Sequence, residues 1–178
     1  PFVVFDPVMA ASPHKRLMNE SDLERIRTVL LPQVSLLTPN LKEAARLLGI
    51  AQPVDEAGMR ACLPALQALG VPNVLLKGGH LADDTPDAPE STDLLATPEG
   101  VIRLSAPRIA TRHGHGTGCT LSSAIAALWP QHGLEKATRM AKDYVHGALL
   151  HADALQVGHG RGPLHHFWQA VHLPGQLA

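Results

Sequence analysis

Along the chain, short apolar runs alternate with longer stretches in which apolar positions recur at helical spacing. Residues 2–8 open with Phe2-Val3-Val4-Phe5, an apolar run that predicts a strand buried on both faces, ended by the turn signal Asp6-Pro7. Residues 21–31 place Leu23, Ile26 and Leu30 at helical spacing, with Ser21 as the cap and Glu24 where a capping box needs it. A short buried strand is expected at 34–37, then a helix at 41–48 that stops at Gly49. Over 56–69 the pattern predicts a helix with Met59, Cys62, Leu63, Leu66 and Leu69 on one face; Pro64 should kink it or move its start. Residues 73–77 read as a strand running into Gly78-Gly79, and the polar, proline-bearing stretch 83–92 as a mobile loop. Two short strands, 94–96 and 101–104, flank a turn at Pro98-Glu99-Gly100. The two strongest helices are 117–128 and 134–152, the second repeating Ala137, Ala141, Tyr144, Ala148 and Ala152. Beyond Gly158 the tail is rich in Gly, His and Pro, with one helical turn expected at 165–171.

Strands alternating with helices form the βαβ pattern, which predicts an α/β fold: a parallel sheet covered by helices on both faces. Ligands of such sheets bind at the carboxyl ends of the strands. Asp6, Asn40, Lys77 and the turn beginning at Gly114 all follow strand-like segments. No internal repeat is visible. The chain starts with a buried-type strand at its first residues and without Met, which predicts that sequence is missing upstream and that this is a fragment of a larger protein.

Composition narrows the function classes. A length of 178 residues suits one domain, and 45% hydrophobic content is enough for a core built from Leu, Val, Ile and Ala, since only 3% is aromatic. The net charge of −1 argues against a nucleic-acid or membrane-surface protein, which would carry a basic face or tail. No apolar stretch approaches the roughly 20 residues needed to span a bilayer, and no signal peptide opens the chain. Cys62 and Cys119 alone do not make a disulfide framework, so a reducing compartment, the cytoplasm by default, is expected.

Four segments carry candidate chemistry. In Gly114-His115-Gly116-Thr117-Gly118-Cys119-Thr120, three alternate glycines let the backbone approach a ligand, and the helical pattern that follows makes the segment a helix N-terminus. Such an end attracts anions, and its field favours the thiolate of Cys119. The competing reading is a packing turn with an inert cysteine. The spacing does not fit the GxxxxGK[ST] phosphate loop. Asn40-x-x-Glu43 either offers a carboxylate to Mg²⁺ or is only a capping box. Lys77, beside Gly78-Gly79, either contacts phosphate oxygens or simply ends a strand. Asp6 either biases a metal–phosphate region or hydrogen-bonds its own turn. His113, His115 and Cys119 match zinc spacing poorly.

These segments occur in one order: DPVM, TPNLKEA, KGGH and HGTGCT, closed by Gly158-His159-Gly160-Arg161-Gly162-Pro163 with His166. The ordered set resembles the ribokinase superfamily over nearly the whole chain, and is most similar to the hydroxymethylpyrimidine and phosphomethylpyrimidine kinases of thiamine biosynthesis. The resemblance implies a three-layer α/β/α ribokinase-like sheet, mostly parallel. Residues 1–178 would be the C-terminal portion of one kinase domain, lacking its N-terminal part and the substrate-pocket residues there. It implies ATP-dependent phosphorylation of the hydroxymethyl group of a pyrimidine and then of its monophosphate, with ATP as donor and Mg²⁺ as cofactor. Cys119 takes the general-base position where most superfamily members carry Asp. Gly116, Thr117, Gly118 and Cys119 would form the anion hole, Lys77 would steady the phosphates, Asp6 and Glu43 would arrange the metal, and Asn40 and Gly79 would contact nucleotide. A homodimer is implied on the same basis. Two alternatives stand beside this reading. One is a pyridoxal kinase of the same superfamily, and the other a nucleotide-binding remnant without catalysis. A chain of this extent alone is expected to be poorly active and unstable.

Overall fold

The computed structural model describes residues 2–12, 15–79, 81, 90–157 and 159–170. These fall into two compact units, residues 1–107 and 108–178. The first is an α/β unit built on a five-stranded sheet in the order β1-β4-β5-β6-β7: β1 (Val4–Phe5), β4 (Leu36–Leu37), β5 (Asn73–Lys77), β6 (Glu90–Thr97) and β7 (Gly100–Pro107). A separate antiparallel pair, β2 (Ala10–Ser12) with β3 (Lys15–Arg16), lies in a stretch without strand periodicity and was not expected.

The sheet is mixed rather than mostly parallel. β1, β4 and β5 pair in parallel, and β5–β6 and β6–β7 pair antiparallel. The reason lies in the connections. Helices carry the chain from β4 to β5, whereas β6 and β7 are joined by a tight turn at Pro98-Glu99, and a two-residue turn can only make an antiparallel hairpin. Cross-strand hydrogen bonding also extends both hairpin strands well past the short ones expected, taking in residues 90–92 of the expected loop. Residues 83–89 of that loop lie outside the described residues, as do His80, Gly158 and the end of the expected 165–171 turn.

Register places Leu37, Val74, Leu76, Leu94 and Ala96 on one face. They join one core with Leu41, Ala44 and Leu47 of α2 (Leu41–Leu48), Met59, Cys62, Leu63 and Leu66 of α3 (Glu56–Gln67) and Leu23 of α1 (Glu20–Arg25). Leu36, Leu75 and Leu95 on the alternate face are equally buried, as unbroken apolar strands require. α2 ends at Gly49 with φ 67°, as its pattern predicts. α3 keeps its expected start at Asp55–Glu56 with Pro64 inside it.

The first helix departs most from expectation. Its cap is Asn19, not Ser21. Asn19 Oδ1 accepts from Asp22 N at 2.9 Å and Asp22 Oδ2 accepts from Asn19 N at 2.9 Å, while Ser21 donates to Asn19 Oδ1. Beyond Arg25 it widens to a π turn (Ile26–Leu30) and tightens to a 3₁₀ turn (Leu31–Gln33). Pro32 has no N–H to give the preceding turn, so the α pattern cannot continue there.

The second unit holds α4 (Thr117–His132) and α5 (Leu134–Leu150), packed together, followed by a 3₁₀ turn at Ala152–Ala154. α4 runs past the expected end at 128, and α5 stops short of 152. No helix among the described residues is long and apolar enough to cross a membrane.

Two tests follow. Leu76→Ala should lower unfolding free energy by about 2–5 kcal/mol in urea titration, while Val29→Ala, at a position 61% exposed, should stay within about 0.5 kcal/mol. Gly78→Ala should be destabilising by about 1–3 kcal/mol or more, because a Cβ there would overlap the Thr92 carbonyl oxygen and crowd the Met59 side chain.

Candidate active site

Parallel pairing decides where the polar residues of the first unit emerge. Val4 pairs with Leu36 and Leu36 with Asn73; Phe5 pairs with Leu37 and Leu37 with Val74. The ladder continues as Thr38 N donates to the Phe5 carbonyl at 3.0 Å and Lys77 N to the Pro39 carbonyl at 2.9 Å, with Asn40 bridging Lys77 in parallel. Asp6, Asn40 and Lys77 therefore leave the sheet at the carboxyl ends of three neighbouring strands.

There Lys77 Nζ donates to Asp6 Oδ1 at 2.8 Å, each side chain only 14% exposed. Asn40 and Glu43 form a reciprocal capping box at the start of α2. Asn40 Oδ1 accepts from Glu43 N at 2.9 Å, and Glu43 Oε2 accepts from Asn40 N at 2.7 Å. The capping box expected of this pair is thus formed. Burial pushes the Glu43 carboxyl above its ordinary value, opposed by the Asn40 main-chain bond and the charge of Lys77 and aided by the charge of Asp6. Lys77, Asp6 and Glu43 thus share one electrostatic neighbourhood. Glu43 is a half-buried carboxylate in a setting that disfavours its charge, a feature common at functional sites.

Past Lys77 the chain turns sharply, with Leu81 N donating to the Gly78 carbonyl at 2.8 Å and Gly79 within the turn. Gly78 N donates to Asp93 Oδ1 at 3.0 Å. Asp93 is 5% exposed and sits opposite Lys77 on β6. This anchor escaped the sequence reading. Its signal was an acidic residue at the head of the apolar run Leu94-Leu95-Ala96.

In the second unit, Gly116 caps α4 with φ 88°, a left-handed conformation that favours glycine. The turn before it is closed by Thr117 Oγ1, which donates to the Gly114 carbonyl at 2.8 Å. The first helical bond runs from Thr120 N to the Gly116 carbonyl at 2.9 Å, so Thr117, Gly118 and Cys119 form the first turn, where main-chain N–H groups face off the end of the helix. Cys119 is exposed there and Cys62 is buried, its thiol pushed up by burial. The tail returns to this turn: His115 N donates to the Gly162 carbonyl at 3.3 Å, and His115 bridges Pro163 in parallel.

Chemically, the first unit presents a lysine steered by a carboxylate beside a second carboxylate, a set suited to phosphate oxygens and to a hard cation. The second presents a glycine-shaped helix start suited to an anion, with a thiol in it. Among the described residues no group of three or more His, Cys, Asp or Glu side chains is placed to hold a metal.

The phosphomethylpyrimidine kinase family matches residues 1–165. The hydroxymethylpyrimidine/phosphomethylpyrimidine kinase of Salmonella typhimurium is 49% identical over 93% of this chain and 60% of its own length. The enzyme of that name from Escherichia coli is 48% identical with the same coverage. The chain thus spans about 60% of the length of these curated relatives. In fold it resembles the pyridoxal kinase of Bacillus subtilis solved as an ADP complex, with TM-score 0.81, 27% identity and coverage of 96% of this chain and 60% of that one. It also resembles the Staphylococcus aureus pyridoxal kinase in complex with AMP-PCP and pyridoxal, with TM-score 0.78, 28% identity and coverage of 93% and 57%. The ribokinase-like α/β expectation holds, and the chain belongs to the phosphomethylpyrimidine kinase family.

Proposed function

We propose that this chain is the C-terminal portion of a kinase that uses ATP to phosphorylate 4-amino-5-hydroxymethyl-2-methylpyrimidine and then its monophosphate, in thiamine biosynthesis. The observation that carries this is the near-half identity to named kinases of that activity over 93% of the chain. The same reading makes the protein cytoplasmic and homodimeric.

In this reaction Cys119 takes the proton of the substrate hydroxyl as the phosphoryl group arrives. The N–H groups of Gly116, Thr117, Gly118 and Cys119 stabilise charge developing on the transferred group. Lys77 acts as a point charge on phosphate oxygens, and Asp6, 2.8 Å from its ammonium, aims it. Asn40 and Gly79 line the nucleotide side. Two carboxylates of one neighbourhood, Asp6 and Glu43, fit Mg²⁺, which takes few protein oxygens and keeps waters. When bound, the ion would neutralise phosphate charge.

Pyridoxal is the second substrate to test, because solved structures that the chain resembles include pyridoxal kinases. ATP consumption by the full-length protein should be faster with the pyrimidine than with pyridoxal; the reverse order would favour the sibling activity. Nucleotide binding without turnover of either would favour the binding-only reading. Cys119→Ala should lower kcat about 10²–10⁴-fold, and an unchanged kcat would remove the cysteine from the base role.

Glu43 supplies a test in which stability and activity part. Its raised folded-state pKa means that folding favours the protonated form. That contribution is fully present below the unfolded value of 4.5 and is lost as pH rises through the folded one, so the ionised group opposes folding at neutral pH. Glu43→Gln keeps an acceptor for Asn40 N. It should be at least as stable as the parent at pH 7, with the advantage vanishing below about pH 4.5, yet should lose activity. Urea unfolding across pH, beside kcat, checks both.

A further inference from the structure

His113 is not among the residues assigned to the reaction, yet it is more constrained than any of the other histidines around the Gly-rich turn. Its side chain is 12% exposed. Nδ1 accepts a hydrogen bond from the main-chain N–H of Gly162 at 3.0 Å, across 49 residues of sequence. The same peptide segment is bound from its other side, since the Gly162 carbonyl accepts from His115 N. Gly162 is buried, and a Cβ at that position would overlap His113 Nδ1, so only glycine admits the approach.

The opposite ring nitrogen faces a carboxylate. Nε2 lies 3.6 Å from Asp153 Oδ1. Asp153 Oδ1 accepts from Thr111 Oγ1 at 2.8 Å, and Thr111 Oγ1 in turn accepts from His113 N at 3.1 Å. A neutral imidazole carries one proton, and Gly162 N–H requires an acceptor at Nδ1, so the proton belongs on Nε2, facing the carboxylate. Arg112 Nε points its N–H at Nε2 from 3.4 Å, a long bond that only the other tautomer could accept, and the shorter bond from the buried Gly162 N–H decides between the two.

We infer that His113 is a positioning residue: as the neutral, Nε2-protonated imidazole it clamps the Gly162 main chain against the turn that carries Cys119. The arrangement works in one protonation state only. Protonation of Nδ1 sets two donors against each other and opens the clamp. The charged and titratable groups around the ring are Asp153 on the 3₁₀ turn, Arg112 on its own segment, and His159 of the tail, which lines the same cavity of about 850 Å³. An effect on turnover rests on the kinase reading above, whereas the clamp does not.

The two kinds of failure separate in one set of variants of the full-length protein. Asparagine places its Oδ1 where Nδ1 stands, whereas glutamine reaches only toward Nε2. His113→Asn should therefore keep the Gly162 amide protected from hydrogen exchange, and His113→Gln should lose roughly tenfold of that protection, as for one hydrogen bond to a buried group. In ATP turnover, His113→Gln should lower kcat about 10–100-fold by misplacing the turn, with His113→Asn near wild type. Equal Gly162 protection in wild type and His113→Gln, or rescue by neither amide, would overturn the clamp whatever the enzyme does. Intact protection differences in a protein that transfers no phosphoryl group would leave the clamp standing and remove the kinase reading.

Discussion

The ion pair between Lys77 and Asp6 is the interaction on which the polar cluster of the first unit depends. The two residues belong to strands separated by a third, about 10 Å apart at the backbone, and are 71 positions apart in sequence. A long lysine stem spans that gap, and it does so because the parallel ladder brings all three strand ends level. With both side chains mostly buried, neither charge is well solvated alone, so loss of one partner leaves the other uncompensated. The pair also holds the ammonium in one direction, toward the carboxyl end of β1.

Around this pair the structure accepts an electrostatic burden. Glu43 is doubly used. It closes the cap of α2, a role a neutral glutamine would fill as well, yet it carries a charge that its burial opposes. The second unit solves a different problem with different means. Its Gly-rich turn carries no Lys or Arg side chain and points the dipoles of a helix start. Those dipoles point correctly only if Gly116 holds its left-handed conformation and the tail is pinned at Gly162.

Much of this was legible in the sequence, where the signal is local. α2 and β5 begin and end where their patterns said, because Gly49 and the Gly78-Gly79 pair are terminators whatever the rest of the fold does. The Gly114–Cys119 segment announced a helix start for the same reason. Local signals failed where two were equally good. Asn19/Asp22 and Ser21/Glu24 both carry the spacing of a capping box, and the first is the one that forms.

The sequence by itself determined the α/β class, the identity of the candidate residues and their order, since motif chemistry and hydrophobic period are properties of neighbours along the chain. Tertiary structure alone decided the mixed sheet, for strand direction depends on the connection and partner rather than on the strand. It alone paired Lys77 with Asp6 and set Asp93 under Gly78, because burial and register assign those partners across long stretches of chain. His113 was one histidine among eleven until the fold laid Gly162 on its Nδ1. A ring nitrogen has a definite role only once its hydrogen-bond partner fixes the tautomer, and that partner lies 49 residues away.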